Sequence, residues 1–238
     1  MNSCKNCNEP IVGNFCSNCG QPAKLKRIDK YYIIQELGGF FFANKGMIYT
    51  IKKILINPGD SVRRFITEDR YRFVKPITFL FVSSLIYVIT SSLFNVSIQD
   101  YMDFDEGTIV SFVMTWLIEH PGYMNIIVGM FMAFFIKIFF KKAGYNIFEI
   151  FILMCFVCGM TTLFDSVGAI IQGITHLKFI QISIFISFTY STWAIAQFFD
   201  RKKVASYIKA FLSYILGMLV FGFLIGVVGA IIDIIIKH

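Results

Sequence analysis

Residues 207–236 read YIKAFLSYILGMLVFGFLIGVVGAIIDIII, an apolar run in which Lys209 and Asp233 are the only charged side chains. About 20 consecutive apolar residues suffice for an α-helix to cross the hydrocarbon core of a bilayer. Four further stretches meet this criterion: residues 76–95, 123–140, 147–174 and 179–199. Backbone groups in lipid must be hydrogen-bonded within the chain, so each stretch is predicted to be a helix. The sequence therefore predicts an all-α polytopic membrane protein with about five transmembrane helices.

The composition of the chain agrees with this prediction. Of the 238 residues, 56% are hydrophobic and 16% are charged, whereas globular domains contain about 45–50% and about 25%. A soluble domain of this size could not bury so much apolar surface, and a disordered chain would contain far less of it. The third and fifth stretches are long enough to leave open a re-entrant break in either of them.

The distribution of charge predicts how the chain crosses the membrane. With the N-terminus in the cytoplasm, 20 of the 22 Lys and Arg residues lie on the cytoplasmic side, and Lys178 and Lys237 lie outside. The loop 96–122 contains no Lys or Arg but has five acidic residues: Asp100, Asp103, Asp105, Glu106 and Glu119. The positive-inside rule therefore predicts a cytoplasmic N-terminus and an external C-terminus.

Four cysteines near the N-terminus have the spacing of a metal site, Cys4-x2-Cys7-x8-Cys16-x2-Cys19. Each pair can bind one side of a tetrahedral ion, and four thiolates close the coordination shell of a structural zinc ion. Gly20 allows the positive φ that a tight turn after the last cysteine needs. Two disulfides are the alternative, but thiols stay reduced in the cytoplasm. We predict a zinc ribbon at residues 1–23, with one structural Zn²⁺ per chain that supplies its folding energy.

The predicted ribbon has little charge of its own. Lys5 and Glu9 are the only charged residues between Cys4 and Cys19, and they cancel each other. A phosphate-binding surface needs clustered Lys and Arg, so this composition argues against nucleic acid as a partner. We expect the ribbon to bind a protein partner or to act as a stabilising cap.

A basic amphipathic juxtamembrane segment is predicted at residues 24–75. Pro58-Gly59 separates two predicted helices, and Asp60 is a candidate cap of the second. Helices that are apolar on one side and basic on the other are suited to lie in the lipid interface, with their cations near anionic headgroups. The residues expected to contact anionic lipid are Lys52, Lys53, Arg63, Arg64, Arg70, Arg72 and Lys75.

Residues 76–238 form the predicted helical transmembrane domain, in which Asp165 and Asp233 are the most unusual side chains. Ionisable groups inside membranes are often functional, so both are candidate functional residues. Both are expected near the outer interface, where water makes a charge tolerable. His176 or Lys178 is a candidate structural partner for Asp165.

Small residues occupy one face of the fifth predicted helix, at Gly222, Gly226 and Ala230. Such a face allows close helix packing in lipid, either against another span of the chain or against a second copy in a homo-oligomer. Cys155 and Cys158 share a face of the third helix, and they are predicted to be packing residues.

Several short motifs in the first 80 residues recur in a known family. They are Cys-Lys-Asn-Cys at 4–7, Phe-Cys-Ser-Asn-Cys-Gly-Gln at 15–21, Arg27-Ile28, Asn44-Lys45-Gly46, Thr50, Asn57-Pro58-Gly59, Arg64-x-Ile66, Asp69-Arg70-x-Arg72 and Lys75-Pro76-x-Thr78-Phe79. With these motifs the chain resembles an uncharacterised bacterial family of domains of unknown function. The resemblance implies a zinc ribbon, a juxtamembrane motif and several spans in the bacterial cytoplasmic (inner) membrane, and it implies no activity.

We expect a non-enzymatic membrane protein, a scaffold, regulator or sensor whose ribbon contacts a cytoplasmic protein. A small transporter or permease component is the second alternative, although it requires polar groups near the bilayer midplane, where the predicted spans contain few. A membrane enzyme is the third. The sequence lacks a His-Glu-x-x-His motif, a Gly-x-Ser-x-Gly elbow and a phosphate loop.

Overall fold

The computed structural model describes residues 2–4, 7, 9–11, 13–20, 22–23, 27–33, 46–68, 70, 72–96 and 108–237. In the N-terminal part, β1 (Asn2–Ser3) pairs antiparallel with β2 (Pro10–Ile11). Residues 30–33 are helical. The helices whose bounds both lie within the described residues are α1 (Met47–Ile56), α2 (Pro58–Thr67), α3 (Pro76–Leu93), α4 (Ile109–Glu119), α5 (Pro121–Phe139), α6 (Ile147–Thr175), α7 (Ile180–Asp200) and α8 (Val204–Lys237). A 3-10 turn at Lys141–Ala143 connects α5 to α6.

Five of these helices, α3, α5, α6, α7 and α8, are long and apolar enough to cross a membrane. They coincide with the five predicted stretches, so the predicted all-α polytopic membrane fold is confirmed. The third and fifth spans are α6 and α8, continuous helices of 29 and 34 residues. The re-entrant break that the sequence left open is therefore found in neither of them.

α6 is the central helix of the bundle. It packs against α3, α5 and α7, while α8 packs from outside against α5 and α7. In the most apolar 18-residue stretch of α6, 67% of the residues are buried inside the protein, whereas in that of α8 only 17% are buried. A helix that is apolar on all sides needs apolar surroundings on all sides. Protein neighbours provide them for α6, and the membrane is left to provide them for most of α8.

The predicted loop 96–122 contains a helix, which corrects the prediction. α4 occupies Ile109–Glu119, and His120 separates it from α5. Its 11 residues are too few to cross a bilayer, for which about 20 are needed. α4 packs instead against α5 and α8. Residues 97–107, with four of the five predicted acidic side chains, lie outside the described residues.

α1 and α2 form a hairpin that packs on one end of the bundle, which we call the hairpin end. The apolar face of α2 is buried, and the Phe65 ring lies 5.3 Å from the Phe156 ring of α6. Ile54 of α1 is also buried, and its carbonyl accepts a hydrogen bond from the Tyr190 hydroxyl of α7 at 2.8 Å. For α2, the prediction that the apolar face lies in lipid is therefore wrong, because α6 and α7 cover it. On α1, Ile48 and Leu55 of the predicted apolar face remain exposed.

α2 begins at Pro58, two residues before the predicted cap. Asn57 is the N-cap residue, and Asp60 lies in the first turn. Proline suits the first helical position, where its missing N–H costs no helical hydrogen bond. Gly59 allows α2 to approach α7, because a Cβ there would lie 2.4 Å from the backbone of Gln197. Pro58-Gly59 thus starts this helix tightly against the bundle.

One apolar core joins residues on both sides of position 75. Ile28, Ile54 and Phe65 from the N-terminal side belong to the same cluster as Phe156 and Phe198 of the spans. Burial of this shared surface stabilises the docked position of the juxtamembrane segment.

Candidate metal centre and its attachment to the bundle

The four N-terminal cysteines lie close together. Their Sγ atoms are within 4.8 Å of one another, and three of the pairs are 3.5–3.6 Å apart. Thiolates about 2.3 Å from a zinc ion at the corners of a tetrahedron would be about 3.8 Å apart. The cluster can therefore hold a metal ion after only small shifts of the sulfur atoms.

Short antiparallel hairpins present the two Cys-x2-Cys pairs. β1 and β2 flank the first pair, and a bridge between Phe15 and Pro22 flanks the second. The Gly20 N–H donates to the Cys16 carbonyl at 2.9 Å, and Gly20 has a φ of 72°. The left-handed conformation expected at this glycine is confirmed, and it bends the chain back toward the sulfur atoms.

The donor set contains only sulfur. For the Cys7 thiol, a backbone hydrogen bond at Glu9 lowers the pKa, but burial and hydrogen bonds to the neighbouring thiols outweigh it and raise the pKa to about 12. Metal binding at the cluster would therefore release protons. An all-thiolate set suits soft or borderline ions, of which zinc has the matching tetrahedral geometry.

Arg27 ties the connector behind the ribbon to α6. Its guanidinium donates to both carboxylate oxygens of Glu149, at 2.8 and 3.0 Å, and to the Gly144 carbonyl at 2.7 Å. The Glu149 side chain is 5% exposed and the Arg27 side chain 61%. The hydrogen bonds to Glu149 raise the pKa of Arg27 above its ordinary value. The bidentate geometry fixes the orientation of the connector as well as its distance from α6.

The N-terminus of α6 provides further contacts for the connector. Asn146 caps the helix in a capping box with Glu149. The Asn146 side chain also donates to the Ile28 carbonyl at 2.9 Å, and Ile28 is fully buried. The sequence does not single out Glu149 as a site residue. The Asn146-x2-Glu149 spacing signals a helix start, but nothing in the sequence pairs Glu149 with a residue 122 positions away.

The residues predicted to contact anionic lipid fall into two groups. Arg63 donates to the carbonyls of Gln197 and Phe198, at 2.8 and 2.6 Å, and Arg70 donates to the Ile66 carbonyl at 2.9 Å. Arg63 therefore ties α2 to α7, and Arg70 binds carbonyl groups at the C-terminal end of α2. The other five residues are exposed: Lys52, Lys53, Arg64, Arg72 and Lys75.

Asp165 belongs to α6, and its side chain faces α7. Its carboxylate accepts hydrogen bonds from the hydroxyls of Ser183 and Ser187, each at 3.1 Å. The predicted partners, His176 and Lys178, are exposed in the connection between the two helices. His176 is about 16 Å farther along the helix axis than Asp165. Ser183 and Ser187 of the antiparallel helix α7 lie at the same height as Asp165. Serine hydroxyls therefore bind Asp165 in place of the predicted His176 or Lys178.

Asp233 lies near the C-terminal end of α8, where it contacts the start of α4. Its two carboxylate oxygens accept from the Ile109 N–H, at 3.0 and 3.2 Å. The first N–H groups of a helix have no partner within the helix, and the positive end of its dipole favours a carboxylate. The structure thus gives Asp233 the role of attaching α4 to α8.

The small-residue face of α8 is open. A Cβ added at Gly222 or Gly226 would meet no atom within 4 Å, and Ala230 is exposed. Packing of this face against another span of the same chain, one of the two predicted alternatives, is therefore contradicted. Cys155 and Cys158 are buried on α6, in agreement with their predicted packing role.

The hairpin and the start of α3 coincide with a known sequence family. A family model described as Protein of unknown function (DUF3667) matches residues 44–88. The match supports the resemblance to an uncharacterised family of domains of unknown function. No curated protein and no solved structure matches the chain.

Motif residues in the matched segment have structural roles. Gly46 has a φ of 118°, and a Cβ there would lie 2.5 Å from the Arg72 carbonyl oxygen. The Thr50 hydroxyl accepts the Val74 N–H at 3.0 Å. These two contacts join the start of α1 to the residues that precede α3, so Gly46 and Thr50 have a packing role in the matched segment.

Proposed function

We propose that the chain is a non-enzymatic protein of the bacterial inner membrane, whose cytoplasmic zinc ribbon binds a protein partner as a scaffold, regulator or sensor. The observation that carries the proposal is a four-cysteine cluster followed by a connector that Arg27 fixes to the central span. Four thiolates leave no open coordination position for a substrate, so a metal held there is structural. A small metal-stabilised surface attached to the spans is suited to docking a partner.

Zinc is the proposed ion. Elemental analysis of the protein purified under reducing conditions should give about one zinc per chain, as expected for a site with four cysteine ligands. Cys4→Ser should lose most of this metal, while Cys155→Ser, a change in the buried face of α6, should retain it. Wild-type protein without metal, or equal metal in both variants, would contradict the site.

The partner is tested by crosslinking in cells followed by mass spectrometry. A protein that crosslinks to the wild type and to Cys155→Ser, but not to Cys4→Ser, supports recognition through the ribbon. The same crosslinks in all three proteins would refute that role. Because the comparison uses matched cysteine variants, loss of a thiol by itself does not change the outcome.

The proposed orientation puts the hairpin end in the cytoplasm. Basic side chains cluster at this end, around Arg27, on the α1–α2 hairpin, at Lys141–Ala143 and between α7 and α8. The positive-inside rule then assigns the N-terminus to the cytoplasm and the C-terminus to the outside. A reporter enzyme active only outside the cytoplasm should work when fused after residue 238 and fail when fused before residue 1. The reverse pattern would overturn the orientation.

Lipid and a second copy of the chain are the remaining proposed partners. The residues Lys52, Lys53, Arg64, Arg72 and Lys75 are proposed to contact anionic headgroups near the hairpin, and their exposure supports this role. The open face of α8 is proposed to pack against a second copy. A Gly226→Leu substitution should then abolish crosslinked dimers in membranes, and Val228→Leu, a change at an exposed residue of the same helix, should not. Dimers that survive Gly226→Leu would exclude this face.

Transport through a site at Asp165 is the second candidate function. One observation favours it: a carboxylate inside the spans that is held by two serine hydroxyls. Asp165 lines neither the cavity of about 740 Å³ beside α5 and α6 nor the cavity of about 410 Å³ between α5 and α8. A thiol reagent in water that modifies Asp165→Cys would support transport, and an unreactive thiol would count against it.

A further inference from the structure

A cavity at the hairpin end is lined by residues that suit the binding of an anion. It has a volume of about 410 Å³ and lies between the end of α5 and the connection from α7 to α8. Four lysines, Lys141, Lys142, Lys203 and Lys209, line it together with one carboxylate, Asp200. None of them belongs to the metal centre or to the residues predicted to contact lipid. We call this cavity the lysine pocket.

The charge of the lysine pocket favours an anion. The Lys203 ammonium group pairs with Asp200 at 3.0 Å, and the lining side chains together have a net charge of +3. Ala205 and Ser206 of the first turn of α8 line the same cavity. That turn adds the positive end of a helix dipole, although its Ser206 N–H already donates to the Lys203 carbonyl at 2.9 Å.

Aromatic rings form the apolar part of the pocket. The rings of Phe140 and Phe199 stack with their centroids 3.9 Å apart, and the Lys209 ammonium group lies 5.7 Å from the centre of the Phe140 ring. Leu212, one turn beyond Lys209 on the same side of α8, is exposed, and so is Leu219 two turns farther on. Apolar surface thus adjoins the cationic groups, as an amphiphilic ligand requires.

We propose that the lysine pocket binds the phosphate group of an anionic phospholipid, whose acyl chains lie along the exposed side of α8. Basic pockets between transmembrane helices are known to receive such headgroups. Free inorganic phosphate has the same charge chemistry, but it would not use the exposed apolar residues of α8. The proposal rests on the membrane-spanning fold, and it does not depend on the role of the ribbon or on the orientation of the chain.

Native mass spectrometry of the full-length protein in detergent tests the proposal. With equimolar phosphatidylglycerol and phosphatidylcholine, the wild type should retain one phosphatidylglycerol in preference. A Lys142→Ala, Lys209→Ala double variant should weaken its retention by about tenfold, since each cation near an anionic lipid contributes to binding. Arginine at both positions keeps the two charges and should preserve binding.

The control is a Lys30→Ala, Lys178→Ala double variant, which removes two exposed positive charges outside the pocket. It should retain phosphatidylglycerol like the wild type. Equal retention of both lipids by the wild type, or equal loss in the two alanine double variants, would overturn the pocket. Displacement of the lipid by millimolar inorganic phosphate would overturn the lipid assignment in favour of a free-phosphate site. The metal and partner experiments can fail without affecting any of these outcomes.

Discussion

At Gly59, the missing side chain determines how closely α2 approaches α7. A Cβ at this position would lie 2.4 Å from the Gln197 backbone, and backbone cannot move away as a flexible side chain can. We expect Gly59→Ala to destabilise the protein by about 1–3 kcal/mol through overpacking. The measurement is the thermal unfolding midpoint in detergent. Gly13→Ala is the control, because a Cβ there meets nothing within 4 Å, and equal midpoints would contradict the close approach.

Glu149 is the buried partner in the contact that attaches the connector to α6. Glu149→Gln leaves the side chain's size nearly unchanged but removes the negative charge that Arg27 binds through two hydrogen bonds. Hydrogen bonds to charged groups contribute about 1.5–3 kcal/mol, and water around the exposed arginine reduces this, so we expect a loss of about 1 kcal/mol.

The loss should appear as a lower unfolding midpoint. Glu119→Gln, at an exposed position on α4, is the matched control and should leave the midpoint unchanged. If the two substitutions lowered the midpoint equally, the ion pair with Arg27 would not be stabilising.

At the residue scale, the sequence predicts the partners of some side chains and not of others. The cysteine spacing was enough to bring Cys4 and Cys19 into one cluster, because the ligands are close along the chain. The partner of Arg27 could not be predicted, since a long-range ion pair leaves no periodic pattern. Arg63 and Arg70 look like surface cations in the sequence, and only the fold supplies their carbonyl partners.

At the scale of elements, the hydropathy of about 20 residues predicts a span but misses a shorter helix. α4 was missed for this reason, and its contact with Asp233 depends on the far end of α8. The apolar face of α2 shows a second limit of prediction from sequence. Its periodicity predicts an amphipathic helix correctly, but lipid and protein satisfy such a face equally well, so the sequence could not tell which one covers it.

Asp233 is expected to stabilise the first turn of α4. Asp233→Asn keeps the shape of the side chain but removes the charge next to the helix N-terminus, at a cost of about 0.5–1 kcal/mol. Hydrogen–deuterium exchange should become faster in a peptide that covers Ile109–Glu119. Asp200→Asn, near the hairpin end, should leave that exchange unchanged. Unchanged exchange in Asp233→Asn would exclude the capping role.

At the scale of the whole molecule, the shared core predicts which truncations fold. Among the described residues, this core begins at Ile28, after the ribbon. A chain of residues 24–238 should therefore keep an unfolding midpoint near that of the full-length protein. A chain of residues 76–238 loses Ile28, Ile54 and Phe65 from the core and leaves their apolar neighbours uncovered.

We expect the shorter chain to aggregate in size-exclusion chromatography in detergent, and the longer one to elute as a single species. Two equally well-behaved chains would show that the spans fold without the hairpin. Aggregation of both would show that the ribbon belongs to the same folding unit.

By itself, the sequence determined the five spans and the metal-binding pattern of this protein. Both follow from local physics: apolar segments must form helices in lipid, and closely spaced thiols can surround one ion. The tertiary structure decided that the α1–α2 hairpin packs on protein, that Glu149 receives Arg27, and that α5, α7 and α8 enclose the lysine pocket. These features join residues far apart in the chain, and their geometry exists only once the helices have packed.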